Sequence, residues 1–200
     1  GNHVLTPPLE ENTTFFADIV TINNVGKTGV EDDERTSYTI DDAGLSFDAH
    51  RPFLLQSVKV TAEERGVRII RLADLQGNLI QQKVINIPVG ESRIELNFEV
   101  PQGEGLELLL GAGKPLIHSN SNVRYPYELP GIASITSSAG IVSSFRYFFF
   151  YDWAIESTLA CGRTAVTVDI NDNTSVEPVF FSPSAERVDL KNPTVDFTNE

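Results

Sequence analysis

One short segment carries the side chains best suited to ligand binding: Asn120, Asn122, Arg124, Tyr125 and Tyr127. Asn amides and the Arg guanidinium form paired hydrogen bonds with hydroxyl groups, and a Tyr ring combines a flat face with a polar tip. The spacing therefore predicts a ligand-binding loop. The alternative is a solvated loop held in place by its prolines.

An aromatic run, Phe145–Trp153, follows this segment. If the run is one strand, alternate residues from Phe145 to Trp153 share a face. An exposed row of this kind would stack on sugar rings, and Trp153 is a candidate ligand-binding residue for that reason. The alternative is a central strand that is covered on both faces.

Six candidate metal-binding carboxylates are crowded into another short stretch: Glu31, Asp32, Asp33, Asp41, Asp42 and Asp48. Oxygen ligands at loop positions suit Ca²⁺, although the spacing does not match an EF-hand loop. Only Arg35 stands among them as a counter-charge. The cluster predicts either a Ca²⁺ site that holds these loops in place or a solvated acidic loop. Ca²⁺ is the only cofactor that the sequence suggests.

No catalytic motif stands out in the sequence. The three histidines, His3, His50 and His118, are far apart, and no H-E-x-x-H, phosphate-binding loop or G-x-S-x-G motif is present. We therefore expect a protein that is not an enzyme.

Composition and charge restrict the possible partners. The 200 residues are 40% hydrophobic, which is enough for a packed core, and the net charge is −13. That charge disfavours nucleic acid and anionic membrane surfaces, and no apolar stretch is long enough to cross a bilayer. Cys161 is the only cysteine, so no internal disulfide forms. The absence of Met indicates a fragment or a processed product.

The sequence predicts that the candidate residues are held by β-strands. In Arg93–Val100 apolar and polar residues alternate strictly, and Val67–Leu72 and Ile80–Ile87 flank a turn at Gly77. No window has a sustained helical period with caps. The pattern predicts an all-β chain, an antiparallel β-sandwich of Ig-like or jelly-roll type with almost no helix. We also expect Thr13–Ile22 to pair antiparallel with Thr164–Ile170.

Several segments together resemble a β-rich accessory module from large surface and secreted proteins of Bacteroidetes-type bacteria. They include Gly44–Ala49, Pro52–Val60, Leu96–Pro101, Tyr125–Tyr127 and Tyr151–Trp153. The flanks Thr6–Phe16 and Cys161–Val168 are similar to strands of an Ig-like domain, and Ser184–Asn199 is similar to the start of a PKD domain. The resemblance implies a module at 1–175 and a truncated PKD-like domain at 176–200.

The resemblance also implies a location and a class of function. We expect a secreted or cell-surface protein in which this chain is a non-catalytic binding or adhesion module, joined to neighbouring domains of the same polypeptide. The expected partner is a carbohydrate or another surface protein. The alternative is a structural spacer in a very large surface protein.

Overall fold

The structure is a computed structural model that describes residues 13–18, 20–31, 35–38, 42–140, 145–158, 164–168 and 187–188. The described residues form strands and turns without a helix. The strands are β1 (Thr13–Asp18), β2 (Val20–Val25), β3 (Arg35–Tyr38), β4 (Ala43–Ala49), β5 (Phe53–Ala62), β6 (Gly66–Ala73), β7 (Leu79–Ile87), β8 (Gly90–Val100), β9 (Gly103–Gly113), β10 (Leu116–Ser119), β11 (Tyr127–Leu129), β12 (Ala133–Ala139), β13 (Tyr151–Thr158), β14 (Thr164–Val168) and β15 (Arg187–Val188).

The chain divides into two compact units, and the larger one, Ile22–Ser157, is a β-sandwich. Its six-stranded sheet has the order β11-β12-β4-β9-β6-β7, and its four-stranded sheet has the order β2-β13-β5-β8. Neighbouring strands run antiparallel, and β3 pairs separately with β10. The prediction of an antiparallel β-sandwich is therefore confirmed.

The core lies between these two sheets because alternate residues of each strand point inward. In β8 the inward residues Ile94, Leu96 and Phe98 are buried, while the residues between them are exposed. On the facing sheet, Phe47 meets Trp153 edge-on, with ring centroids 5.0 Å apart. In β8, period-two patterning is thus sufficient to define which face of the strand is apolar.

The smaller unit consists of Gly1–Thr21 and Thr158–Glu200, and its described strands form a sheet of order β14-β1-β15. Thr13 pairs with Val168 and Ala17 with Thr164, which confirms the predicted antiparallel pairing for Thr13–Ala17. The predicted strand does not continue to Ile22, because Val20–Val25 is a separate strand, β2, of the four-stranded sheet. β15 pairs with the opposite edge of β1. The predicted boundary near residue 175 lies outside the described residues.

One local prediction was wrong. The aromatic run is not one strand from Phe145, because β13 begins only at Tyr151. Phe149 and Asp152 have left-handed backbone angles, with φ of 65° and 44°, which break the alternation of faces.

A fully buried guanidinium, that of Arg68, ties two turns together. It donates to the carbonyl oxygens of Glu64, Gly66 and Pro115 at 2.9, 2.8 and 2.8 Å. Burial lowers the pKa of Arg68, and the nearby charge of Glu64 partly opposes this effect. Lys114 and Glu64 form an ion pair at 2.9 Å beside it. Arg68 thereby replaces water as the donor to these carbonyl groups.

We expect Arg68→Ala to lower the free energy of unfolding by about 3 kcal/mol or more, because buried carbonyl oxygens lose their donor. Arg65→Ala, at an exposed position of the same turn, is the control and should change it by less than about 0.5 kcal/mol. Urea denaturation of both variants measures the difference. Equal stabilities would show that Arg68 does not hold the turns together.

Candidate functional site

Four tyrosines pack against each other beneath the predicted binding loop; we call Tyr125, Tyr127, Tyr147 and Tyr151 the tyrosine cluster. Tyr147 lies at its centre, fully buried, and stacks on Tyr125 and Tyr151 with ring centroids 5.9 and 5.1 Å apart. Tyr127 meets both Tyr125 and Tyr147 edge-on, at 5.6 and 5.3 Å. These stacked and T-shaped arrangements are the favourable geometries for aromatic pairs.

Hydrogen bonds fasten the loop to this cluster. The Tyr125 hydroxyl donates to the backbone oxygen of Arg146 at 2.8 Å, and the Tyr127 hydroxyl accepts from the Arg124 backbone nitrogen at 3.2 Å. Ser119 and Tyr147 exchange two backbone hydrogen bonds, of 3.0 and 2.9 Å. Both ends of the loop are therefore fixed to the aromatic run.

Close packing around Tyr147 also explains why residue 26 is a glycine. A Cβ atom at Gly26 would lie only 2.3 Å from the Tyr147 hydroxyl oxygen, and Gly26 has a φ of 96°. Both the space and the backbone angle therefore require glycine at this position.

Outside the cluster lies a polar surface, which we call the loop surface: Asn120, Asn122, Arg124, Phe145 and Arg146. The antiparallel bridge between Ser119 and Tyr147 places Asn120 across from Arg146. The Arg146 guanidinium lies 5.9 Å from the centroid of the Phe145 ring, which is 60% exposed. Asn122 donates to the Glu31 carboxylate at 3.3 Å, and Glu31 also faces Lys27 at 3.6 Å.

The loop surface offers amides, two guanidinium groups and one exposed ring. Such groups can bind hydroxyl or carboxylate groups and an apolar face together. Tyr125 and Tyr127 are only half-buried, but their rings are occupied with Tyr147, so they chiefly position the loop. Five of the six predicted ligand residues thus lie in or under one surface.

Trp153 is the predicted ligand-binding residue for which the prediction was wrong. Its side chain is fully buried, and its indole nitrogen donates to the Phe150 carbonyl at 2.7 Å, so it belongs to the core and cannot contact a surface ligand. Phe145 and Arg146 are the two residues of the loop surface that the sequence analysis did not select. Alternation placed Phe145 on the same strand face as Trp153, but the left-handed backbone at Phe149 and Asp152 separates the exposed Phe145 from the buried Trp153, and sequence patterning does not reveal these backbone angles.

The described members of the acidic cluster have separate partners. Glu31 contacts Lys27 and Asn122, and the Asp42 carboxylate pairs with the Arg71 guanidinium. Asp48 accepts from the backbone nitrogen of Gly105 at 2.8 Å.

These contacts bear on the predicted Ca²⁺ site. Asp32, Asp33 and Asp41 lie outside the described residues. Within the described part of the chain, no three His, Cys, Asp or Glu side chains converge as metal ligands do, so a Ca²⁺ site stays a prediction. Lys27 and Arg71 provide counter-charges that the sequence pattern had not identified.

Comparisons with family models, curated proteins and solved structures find no match to this chain. Among the described residues, no helix has the length and hydropathy of a membrane span.

Burial raises the pKa of Tyr125 above its ordinary value of 10.0, and the neighbouring tyrosines add to the effect. Burial likewise raises the pKa of Tyr147, again with its tyrosine neighbours. The folded state therefore keeps these protons at a pH where the unfolded chain loses them. The stabilisation is complete below the unfolded pKa and is lost as the pH rises above it.

We expect the free energy of unfolding to be level up to about pH 9 and to fall above pH 10, by up to about 1.4 kcal/mol per pH unit for each such tyrosine. Urea denaturation across this range measures the slope, and Tyr125→Phe should reduce it. The prediction fails if ultraviolet absorbance shows all five tyrosines of the folded chain ionising near pH 10 without loss of structure.

Proposed function

We propose that this chain is a non-catalytic binding and adhesion module of a multidomain extracellular protein, and that its loop surface contacts a carbohydrate or another surface protein. The extracellular location follows from the resemblance to modules of bacterial surface and secreted proteins. The binding role is supported by the loop surface itself.

The observation that carries the proposal is a polar surface fixed on a rigid aromatic base. Asn120, Asn122 and Arg124 are exposed, while the tyrosine cluster and the Ser119–Tyr147 bridge hold their backbone. A loop that is ordered before binding loses little conformational entropy on binding, so a few hydrogen bonds suffice for affinity. Solvated loops do not need such a base.

Chain connectivity supports a role as an inserted module. Residues 22–157 form one unit, and the strands that flank this stretch, β1 and β14, pair with each other. The sandwich is thus an insertion between two paired strands of another sheet. Insertions at such points add a binding surface without disrupting the host sheet.

A structural spacer is the second candidate, favoured by the burial of the aromatic run. Tyr147–Phe150 and Trp153 are fully buried, so most of the rings in this run stabilise the sandwich. Phe145 is the exception in this run, at 60% exposed. The choice between the two functions therefore depends on the loop surface.

The test is a carbohydrate array and binding to intact bacterial cells, using the full chain and the double variant Arg124→Ala/Phe145→Ala. Removing a guanidinium and an exposed ring should weaken binding by about tenfold or more, because both groups contact the ligand. The melting temperature should barely change, since both positions are exposed. Val89→Ala, another exposed apolar position, is the control.

The two candidate functions give different results. If the loop surface binds the ligand, the double variant loses binding to the cells or to at least one array ligand, and the control keeps it. If the unmodified chain binds neither the array nor the cells, the spacer function is correct.

A further inference from the structure

A second polar site lies on the outer face of the four-stranded sheet, away from the residues of the loop surface. It is an open depression of about 520 Å³, lined by Gln56, Ser57, Arg93, Glu95 and Asn97. All five lie on β5 and β8, so strands rather than loops hold the lining. Sites carried on strands keep their geometry more accurately than sites on loops.

Irregular strand pairing shapes this depression. Between the pairs Leu55–Phe98 and Ser57–Glu95, β8 has one residue more than β5, and Asn97 adopts a left-handed φ of 54°. On the other side of β5, the register of β13 also shifts, next to Asp152. Bulges of this kind redirect side chains and are frequent beside functional sites.

One side of the depression is rigid. Arg93 donates to the Ser57 hydroxyl at 3.1 Å and to the Asp152 carbonyl at 3.0 Å, and it forms an ion pair with the Asp152 carboxylate. That carboxylate also accepts from Asn24 at 2.8 Å and lies 3.6 Å from Lys59. Lys59 also lies 3.8 Å from the Glu91 carboxylate, so Asp152 and Glu91 together balance the charges of Arg93 and Lys59.

The other side of the depression carries unused hydrogen-bonding groups. Glu95 and Asn97 are exposed, and within the described part of the chain their side chains form no hydrogen bond or ion pair. Together with the Gln56 amide, which donates to the Glu156 carboxylate, they provide donors and acceptors a short distance apart. No aromatic residue lines the depression.

This chemistry selects the class of ligand. An anion is disfavoured because the Arg93 charge is paired and Glu95 is negative. A metal cation would require several convergent oxygen ligands, whereas Glu95 is the only carboxylate of the lining. A neutral ligand with adjacent hydroxyl groups fits, because each hydroxyl both donates and accepts a hydrogen bond.

We propose that this depression binds a sugar residue of a neutral oligosaccharide, with Glu95, Asn97 and Gln56 as the hydrogen-bonding residues and Arg93 as part of the rigid wall. The site is independent of the loop surface and uses none of its residues. Binding here is therefore separable from the function proposed for that surface.

The test is calorimetric titration of the full chain with cellohexaose, xylohexaose, mannohexaose and laminarihexaose. Asn97→Gly removes the amide and still permits the left-handed backbone, and Glu95→Gln removes the charge at nearly constant shape. Each should weaken binding of at least one of these sugars by about tenfold or more. Asn86→Ala, an exposed strand amide on the other sheet, should bind like the unmodified chain.

The loop variant Arg124→Ala/Phe145→Ala completes the design, and it should bind the hexasaccharides as the unmodified chain does. The proposal is overturned if the unmodified chain binds none of these sugars, if Asn97→Gly binds within about twofold of it, or if only the loop variant loses binding. A loss confined to the loop variant would assign saccharide binding to the loop surface instead. Melting temperatures confirm that each variant is folded.

Discussion

Burial of the aromatic run constrains most of this structure. From Tyr147 to Tyr151, five successive rings are at most 1% exposed, and Trp153 is fully buried. A regular strand at the surface of a sandwich would expose every second side chain. The run can be buried on all sides only because the chain bends at Phe149 and because β10 covers it, with His118 packed on Phe148 at a centroid distance of 5.0 Å.

The energetics favour this arrangement. A left-handed non-glycine residue costs on the order of 1–3 kcal/mol, whereas burying one large apolar side chain contributes about 1.5–3 kcal/mol. The run buries several rings and contains two left-handed residues, Phe149 and Asp152. The free energy gained by burying the rings therefore outweighs the cost of the backbone strain. Strain in the run is thus a consequence of packing.

The same run shapes both candidate sites. At one end, Tyr147 bonds to Ser119 and stacks on Tyr125, which fixes the loop surface. At the other end, Asp152 is the polar residue between two buried rings, and its carboxylate holds Arg93 and Lys59 on the outer face of the sheet. A single buried segment therefore supports two candidate sites that share no residue.

The sequence predicted those features of the structure that depend on interactions between residues close together in the chain. The strand β8 and the turn at Gly77 follow from alternation and from turn chemistry, which act within a few residues. The difference between the buried Trp153 and the exposed Phe145 depends on the left-handed backbone at Phe149 and Asp152, so alternation was wrong to place both on one face. The bulge at Asn97 could not be predicted either, since an Asn in a regular strand also fits an outward-facing position. Contacts such as Arg71 with Asp42 join distant strands, and no spacing rule anticipates them.

Charge distinguishes the two surfaces further. The chain has a net charge of −13, yet the loop surface carries two arginines, Arg124 and Arg146, with Glu31 at its border. In the depression the Arg93 charge is balanced by Asp152, which leaves Glu95 as the unpaired charge of the lining. An exposed guanidinium group such as that of Arg124 attracts carboxylates within about a Debye length, whereas Glu95 repels them. The two surfaces therefore differ in the sign of the charge that they present to a ligand.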